Sequence, residues 1–217
     1  RTFEIPATWS DKRVFIHFEG VYSCCVVWLN GKFVGYSQGA NNVAEFDLTD
    51  YVRQGKNQLS VRVYRWCDGS YLEGQDMWRM SGIHRDVYLV ATPKTFVRDH
   101  YITVGNQSED ATSGVLNVAL ELDNRDGVSV EKTIRMELTD AQGKVVAKTE
   151  QTVNFSNKKY NLILSTPDLA GLTTWNTEAP YLYNVILTQL QDGKEEMVFS
   201  TKYGFRNIKM VNNDDNH

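Results

Sequence analysis

Between Arg13 and Glu19 the apolar residues Val14, Ile16 and Phe18 alternate with polar ones, the period of a strand with one buried face. Tyr22 to Leu29 is apolar at nearly every position and predicts a strand covered on both faces, central in a sandwich. Asn30-Gly31 follows at once, and this dipeptide suits the two positive-φ positions of a type I′ hairpin, so KFVGY should return antiparallel. Asn41 to Asp47 predicts a short strand. LTDYVRQG reads as one helical turn, capped by Thr49 or Asp50 and stopped by Gly55. Leu59, Val61 and Val63 then alternate in a strand that runs into WCDGSYLEGQDMWRMSGI, residues 66 to 83, where neither period survives. HRDVYLVAT resumes as a strand.

Pro93 marks a domain boundary. Beyond it seven polar-apolar alternations, from FVRDHYITV to EMVFSTKYGF, are separated by turn signals such as Asp126-Gly127, Gln142-Gly143 and Asp192-Gly193. That spacing predicts an immunoglobulin-like sandwich, without the Cys…Trp…Cys pattern of antibody domains. No long amphipathic helix is expected, so the fold class is all-β, two tandem β-sandwiches.

Composition narrows the partners. A chain of 217 residues with 41% hydrophobic content can fill two cores. A formal charge of -4, with no basic run, excludes nucleic acid as an expected partner. No apolar run reaches the roughly 18 residues of a membrane span, and RTFEIPATWSDKR lacks the order of a signal peptide. A soluble protein, cytoplasmic or periplasmic, is the expectation. The three cysteines Cys24, Cys25 and Cys67 have no zinc spacing, and the first two should point to opposite faces of one strand as free, buried or half-buried thiols. His17, His84, His100 and His217 are spaced as single packed or solvated residues.

The aperiodic stretch concentrates the candidate chemistry, being longer than the roughly 12 to 15 residues of an idle loop. Asp68, Glu73 and Asp76 offer carboxylates of the kind a glycosidase pairs, but proximity in sequence does not set the separation such pairs need. Asp68-Gly69 reads first as an ordinary turn, and second as a rim carboxylate that accepts a sugar hydroxyl or binds a hard cation. Asp76 and Arg79 are spaced for an ion pair. Trp66, Tyr71 and Trp78 could stack on a sugar, or form a small apolar core within the loop. No P-loop, G-x-G-x-x-G or G-x-S-x-G motif supports nucleotide or acyl chemistry.

The runs VWLNGKFVGYSQG, AEFDLTDYVRQGKNQLSVRVYRWCDGSYLEGQDMWRMSGIHRDVYL, TWNTEAPYLYNVIL and YGFRNI resemble the N-terminal part of the large bacterial β-galactosidases of glycoside hydrolase family 2. The resemblance implies a jelly-roll sugar-binding domain over 1–93, truncated at its N-terminus, and an immunoglobulin-like sandwich over 94–210. A tail over 211–217 would lead to a catalytic (β/α)₈ barrel that the sequence does not include. It implies no catalytic residue in this chain, since the family's two glutamates lie in the barrel. It carries one binding role across: Asp68, in the family's W-x-D-G-S-Y-L-E motif, would touch the galactosyl group and a sodium ion shared with barrel residues. Sodium and magnesium are implied for the parent enzyme, with a β-galactoside as substrate, the catalytic barrel and downstream domains as partners, and a homo-oligomer as the assembly. Cys67 carries no family role, and His84 stands where relatives commonly have an aromatic. A stand-alone carbohydrate-binding or adhesion module is the alternative from another class, and a β-glucuronidase or β-mannosidase relative a variant within the first.

Overall fold

A computed structural model describes residues 1–74 and 76–209; the tail expected over 211–217 lies outside the described residues. The chain forms two compact units, Arg1–Lys94 and Thr95–His217. No helix among the described residues is long and apolar enough to cross a membrane.

The first unit holds β1 (Thr2–Ile5), β2 (Arg13–Phe18), β3 (Val21–Tyr22), β4 (Cys24–Leu29), β5 (Lys32–Gln38), β6 (Ala44–Asp47), β7 (Gly55–Tyr64), β8 (Gly82–Ile83) and β9 (Val87–Thr92). They pair as a sheet β1-β7-β4-β5, a sheet β6-β2-β9 and a small ribbon β3-β8. β4 is interior to its sheet, as its apolar character requires. Its neighbour β5 returns through Asn30 at φ 52° and Gly31 at φ 80°, the two left-handed positions of the hairpin. The same asparagine locks a second turn, donating from Nδ2 to the Tyr51 carbonyl and to Asn57 Oδ1, both at 2.9 Å. Ile5, Val14, Ile16, Phe18, Cys25, Val27, Leu29, Phe46 and Leu48 fill the core.

LTDYVRQG supplies a single turn, with Tyr51 and Val52 N–H both donating to the Leu48 carbonyl. Thr49 does not cap a helix there. Its hydroxyl binds the Asp47 carboxylate and accepts from the Val14 N–H at 3.1 Å, because a tie between sheet strands outcompetes one exposed helical turn. Gly55, at φ 75°, opens β7 instead of closing a helix.

The second unit is a sandwich of seven strands: β10 (Thr95–Gly105), β11 (Val115–Asn124), β12 (Val130–Thr139), β13 (Val145–Phe155), β14 (Lys159–Ser165), β15 (Tyr183–Gln191) and β16 (Lys194–Tyr203). Three of them form the sheet β10-β11-β14 and four the sheet β13-β12-β15-β16, an immunoglobulin-like partition. Alternate residues Leu116, Val118, Leu120 and Leu122 of β11 meet Ile134, Met136 and Leu138 of β12 in the core. Tyr183 packs edge-on against Phe205 at 5.1 Å and accepts from the Thr173 N–H at 2.9 Å, tying the incoming loop to the start of β15.

Candidate functional site

β7 ends at Tyr64, and residues 65 to 70 are turned back by a hydrogen-bonded clamp on Ser23. The Ser23 N–H donates to the Tyr64 carbonyl at 3.0 Å and its hydroxyl to the Arg65 carbonyl at 2.8 Å. With that proton committed, Ser23 Oγ accepts from the buried Ser70 hydroxyl at 3.1 Å. Ser70 Oγ in turn accepts from the Cys67 N–H at 3.0 Å and lies 3.8 Å from Cys67 Sγ. Asp68–Tyr71 then winds as one 3-10 turn, capped from Cys67.

Asp68 opens that turn, and its side chain is exposed. Its carboxylate has no hydrogen-bond or ion-pair partner among the described residues. Glu73 differs: its Oε1 accepts from the Ala40 N–H at 3.1 Å, so this carboxylate anchors the loop to the chain after β5. Asp76 is exposed and held at φ 54°. The three acids are thus spent differently, one free at the head of a fixed turn, one structural, one on an outlying bend.

Two expectations for the loop are overturned. Trp66, Tyr71 and Trp78 build no apolar core of their own; Tyr71 is 94% and Trp78 90% exposed. The clamp consists of polar contacts to Ser23 and Ala40, and it leaves these rings without apolar neighbours to bury them. Nor do Asp76 and Arg79 pair. The Arg79 guanidinium lies 5.5 Å from the Trp66 ring centroid, with Arg65 at 5.3 Å, a cation–π arrangement that satisfies the arginine away from the bend. Trp66, Cys67, Ser70, Tyr71 and Arg79 line a cavity of about 430 Å³ beside Asp68. Gly82, at φ 88°, leads into β8, whose pairing with β3 closes the loop.

The histidines are separate from one another. His17 pairs with Glu45 at 3.0 Å and stacks on Tyr88, His84 meets the Tyr22 ring edge-on, and His100 bonds Thr201 Oγ1 at 2.7 Å. His217 lies outside the described residues. Cys24, Cys25 and Cys67 are free thiols, the first two buried. Burial pushes the Cys25 thiol up to about 11. No group of three or more His, Cys, Asp or Glu among the described residues is disposed to hold a metal.

The residue near the head of the loop that sequence reasoning missed is Tyr36. Loss of solvent around its hydroxyl, the Cys24 thiol bonded to it, and the nearby charges of Cys24, Cys67 and Asp68 push this phenol up to about 12. Tyr36 therefore stays neutral and donates to Gln38 Oε1 at 2.9 Å. Its place on β5, opposite Val26 and next to the loop, is a matter of strand register and left no local signal. Chemically, the arrangement offers one hard, exposed oxygen acceptor at the head of the turn, next in sequence to a cavity lined by Trp66, Tyr71 and Arg79.

Residues 1–93 match the family described as "Glycosyl hydrolases family 2, sugar binding domain", and residues 95–206 match "Glycosyl hydrolases family 2". Among curated proteins, the chain is 40% identical over 214 residues to a β-galactosidase of Halalkalibacterium halodurans, covering 97% of the chain and 20% of that protein. It is 37% identical over 217 residues to a β-galactosidase of Priestia megaterium, covering 98% and 21%. The chain thus spans about a fifth of the length of these relatives. Among solved structures, a glycosyl hydrolase family 2 member from Bacteroides cellulosilyticus superposes with a TM-score of 0.86 at 26% identity, over 96% of this chain and 28% of that one. A putative β-galactosidase from Bacteroides fragilis, at 22% identity, shares the fold with a TM-score of 0.86 over 97% and 33%.

Proposed function

The chain belongs to glycosyl hydrolase family 2, and from that membership we propose that it is the non-catalytic, substrate-supporting portion of a β-galactosidase acting on terminal β-D-galactosides. The reading is supported by relatives named β-galactosidase that are about five times longer than the matched region. The retaining chemistry, a carboxylate nucleophile with a second carboxyl protonating the leaving oxygen, belongs in this reading to a catalytic barrel outside these residues. The exposed loop 66 to 83 rests on that barrel, which gives Trp78 and Tyr71 the cover they lack here. Downstream domains and a homo-oligomer complete the assembly.

One observation carries the role of the loop: an unpartnered Asp68 carboxylate at the head of a turn fixed by Ser23 and Ser70. Such a group accepts a galactosyl hydroxyl by a charge-assisted hydrogen bond. Sodium fits the same donor, as a hard cation that takes oxygen ligands and can orient sugar hydroxyls, with Asp68 supplying one ligand of a shared set. Magnesium, the other ion the family implies, is assigned no ligand in this chain.

In the longer enzyme, Asp68→Asn should lower kcat/KM for a nitrophenyl galactoside by roughly 10- to 150-fold, the loss of one hydrogen bond to a charged group, and should blunt activation by sodium. Unchanged kinetics together with unchanged sodium dependence would remove Asp68 from the site. The 217-residue chain alone should hydrolyse nothing and bind galactose at most weakly by calorimetry.

A further inference from the structure

Cys24 and Cys67 are distant in sequence and adjacent in space. The alternation of β4 sends Cys25, Val27 and Leu29 into the core, so Cys24 lies on the opposite face, in register with Gln38 of β5 and Tyr64 of β7. That face fronts solvent, with Tyr36 51% and Tyr64 43% exposed, yet Cys24 is only 3% exposed. The start of the loop accounts for the difference. Its hydrogen-bonded clamp holds residues 65 to 70 against Ser23, the neighbour of Cys24, and sets Cys67 Sγ beside Ser70. The Cys24 thiol then has the Tyr36 hydroxyl and the Cys67 thiol as its side-chain neighbours.

We propose that Cys24 and Cys67 form an oxidisable dithiol, a reversible disulfide modification site closed by exchange with a low-molecular-weight disulfide. Cys67 is half-buried and is the entry point, whereas Cys24 is buried. The Cys67 thiolate attacks one sulfur of the small disulfide, forming a mixed disulfide and expelling one small thiolate. The Cys24 thiolate then attacks Cys67 Sγ and expels the second. The protein loses two thiol hydrogens and the small disulfide gains them as two thiols. The second step is intramolecular, so a high effective concentration favours it over reopening by the small thiol. A closed bridge would pin the residue before Asp68 to β4. The bond itself does not rest on the binding role proposed for Asp68.

The full chain, held native with excess oxidised glutathione and then alkylated, should fall from three free thiols to one. Digestion should yield a Cys24–Cys67 cross-linked peptide that dithiothreitol removes. Cys24→Ser should instead accumulate glutathione on Cys67, and Cys67→Ser should lose no thiol. The proposal is overturned if the unmodified chain keeps three thiols, if it stops at a glutathionylated Cys67, or if the bridge joins Cys24 to Cys25. Since the decisive readout is made on the unmodified chain, a poorly folded variant does not obscure it, and galactosidase activity plays no part.

Discussion

Removing the Ser70 hydroxyl should release the turn that carries Asp68 without unfolding the domain around it. Ser70 is 7% exposed, and its oxygen makes two bonds, accepting from the Cys67 N–H at 3.0 Å and donating to Ser23 Oγ at 3.1 Å. Ser70→Ala deletes both and strands the Cys67 amide. A neutral hydrogen bond contributes about 1 kcal/mol net, and an orphaned buried donor costs about 1–3 kcal/mol. Because Cys67 is half-buried, water can reach part of the gap, which places the cost of the substitution at about 1.5–3 kcal/mol. Local opening of the turn should become easier by that amount, raising amide exchange roughly 10- to 150-fold. Native hydrogen exchange read by mass spectrometry should show the change at Ser70, Leu72 and Glu73, whose N–H groups bond the Cys67 and Gly69 carbonyls. The β2 and β4 amides in the core should be unaffected. Exchange in 66 to 74 within about twofold of the unmodified chain would refute the clamp, and a uniform rise across the unit would show that Ser70 supports the whole core. Ser23→Ala should not add fully to Ser70→Ala, since the two share one hydrogen bond.

Three further outcomes follow from the packing and charges. A Cβ at Gly35 would fall 2.7 Å from the Phe46 ring, so Gly35→Ala should destabilise the first unit by about 1–3 kcal/mol in urea denaturation; an unchanged midpoint would mean the sheets part freely there. In the second unit, Lys132 Nζ, 5% exposed, meets Glu196 Oε2 at 2.5 Å, and Gln189 Nε2 shares that oxygen at 3.0 Å. Glu196→Leu should cost about 2–4 kcal/mol and Lys132→Met roughly half that, since only the first leaves a buried charge unpaired; the reverse order would disprove the account. Burial pushes the Asp47 carboxyl up, but hydrogen bonds from the Thr49 hydroxyl and Arg13 outweigh it and hold it below the usual carboxylate range. Its stabilisation is complete above the unfolded carboxylate value and is lost as pH falls through the lower folded one. Asp47→Asn should therefore flatten the acid limb of the stability profile below roughly pH 4, and an acid limb identical to that of the unmodified chain would speak against it.

Much of this was legible along the chain. Alternation at Val14, Ile16 and Phe18 and the Asn30-Gly31 turn are local, because a strand's faces and a hairpin's φ values are set by adjacent residues. The same reasoning located all seven strands of the second unit. It passed over β1, β3 and β8, whose two to four residues carry too little pattern to read. In residues 66 to 83 the residue types announced a site, and the motif around Asp68 announced its family, but the contacts did not follow from spacing. Asp76 and Arg79 sit three apart and do not pair, whereas Ser23 and Ser70, Ala40 and Glu73, and Cys24 and Cys67 meet across long separations. The sequence by itself determined the longer strands, their exposed and buried faces and the hairpin between β4 and β5. Only the tertiary structure decided which acid stands free, which tethers the loop and which thiols are neighbours. The physical reason is that a loop without a repeating period has no internal rule to place its side chains, and takes its shape from the polar groups left free between the strands it crosses, such as those of Ser23 and Ala40.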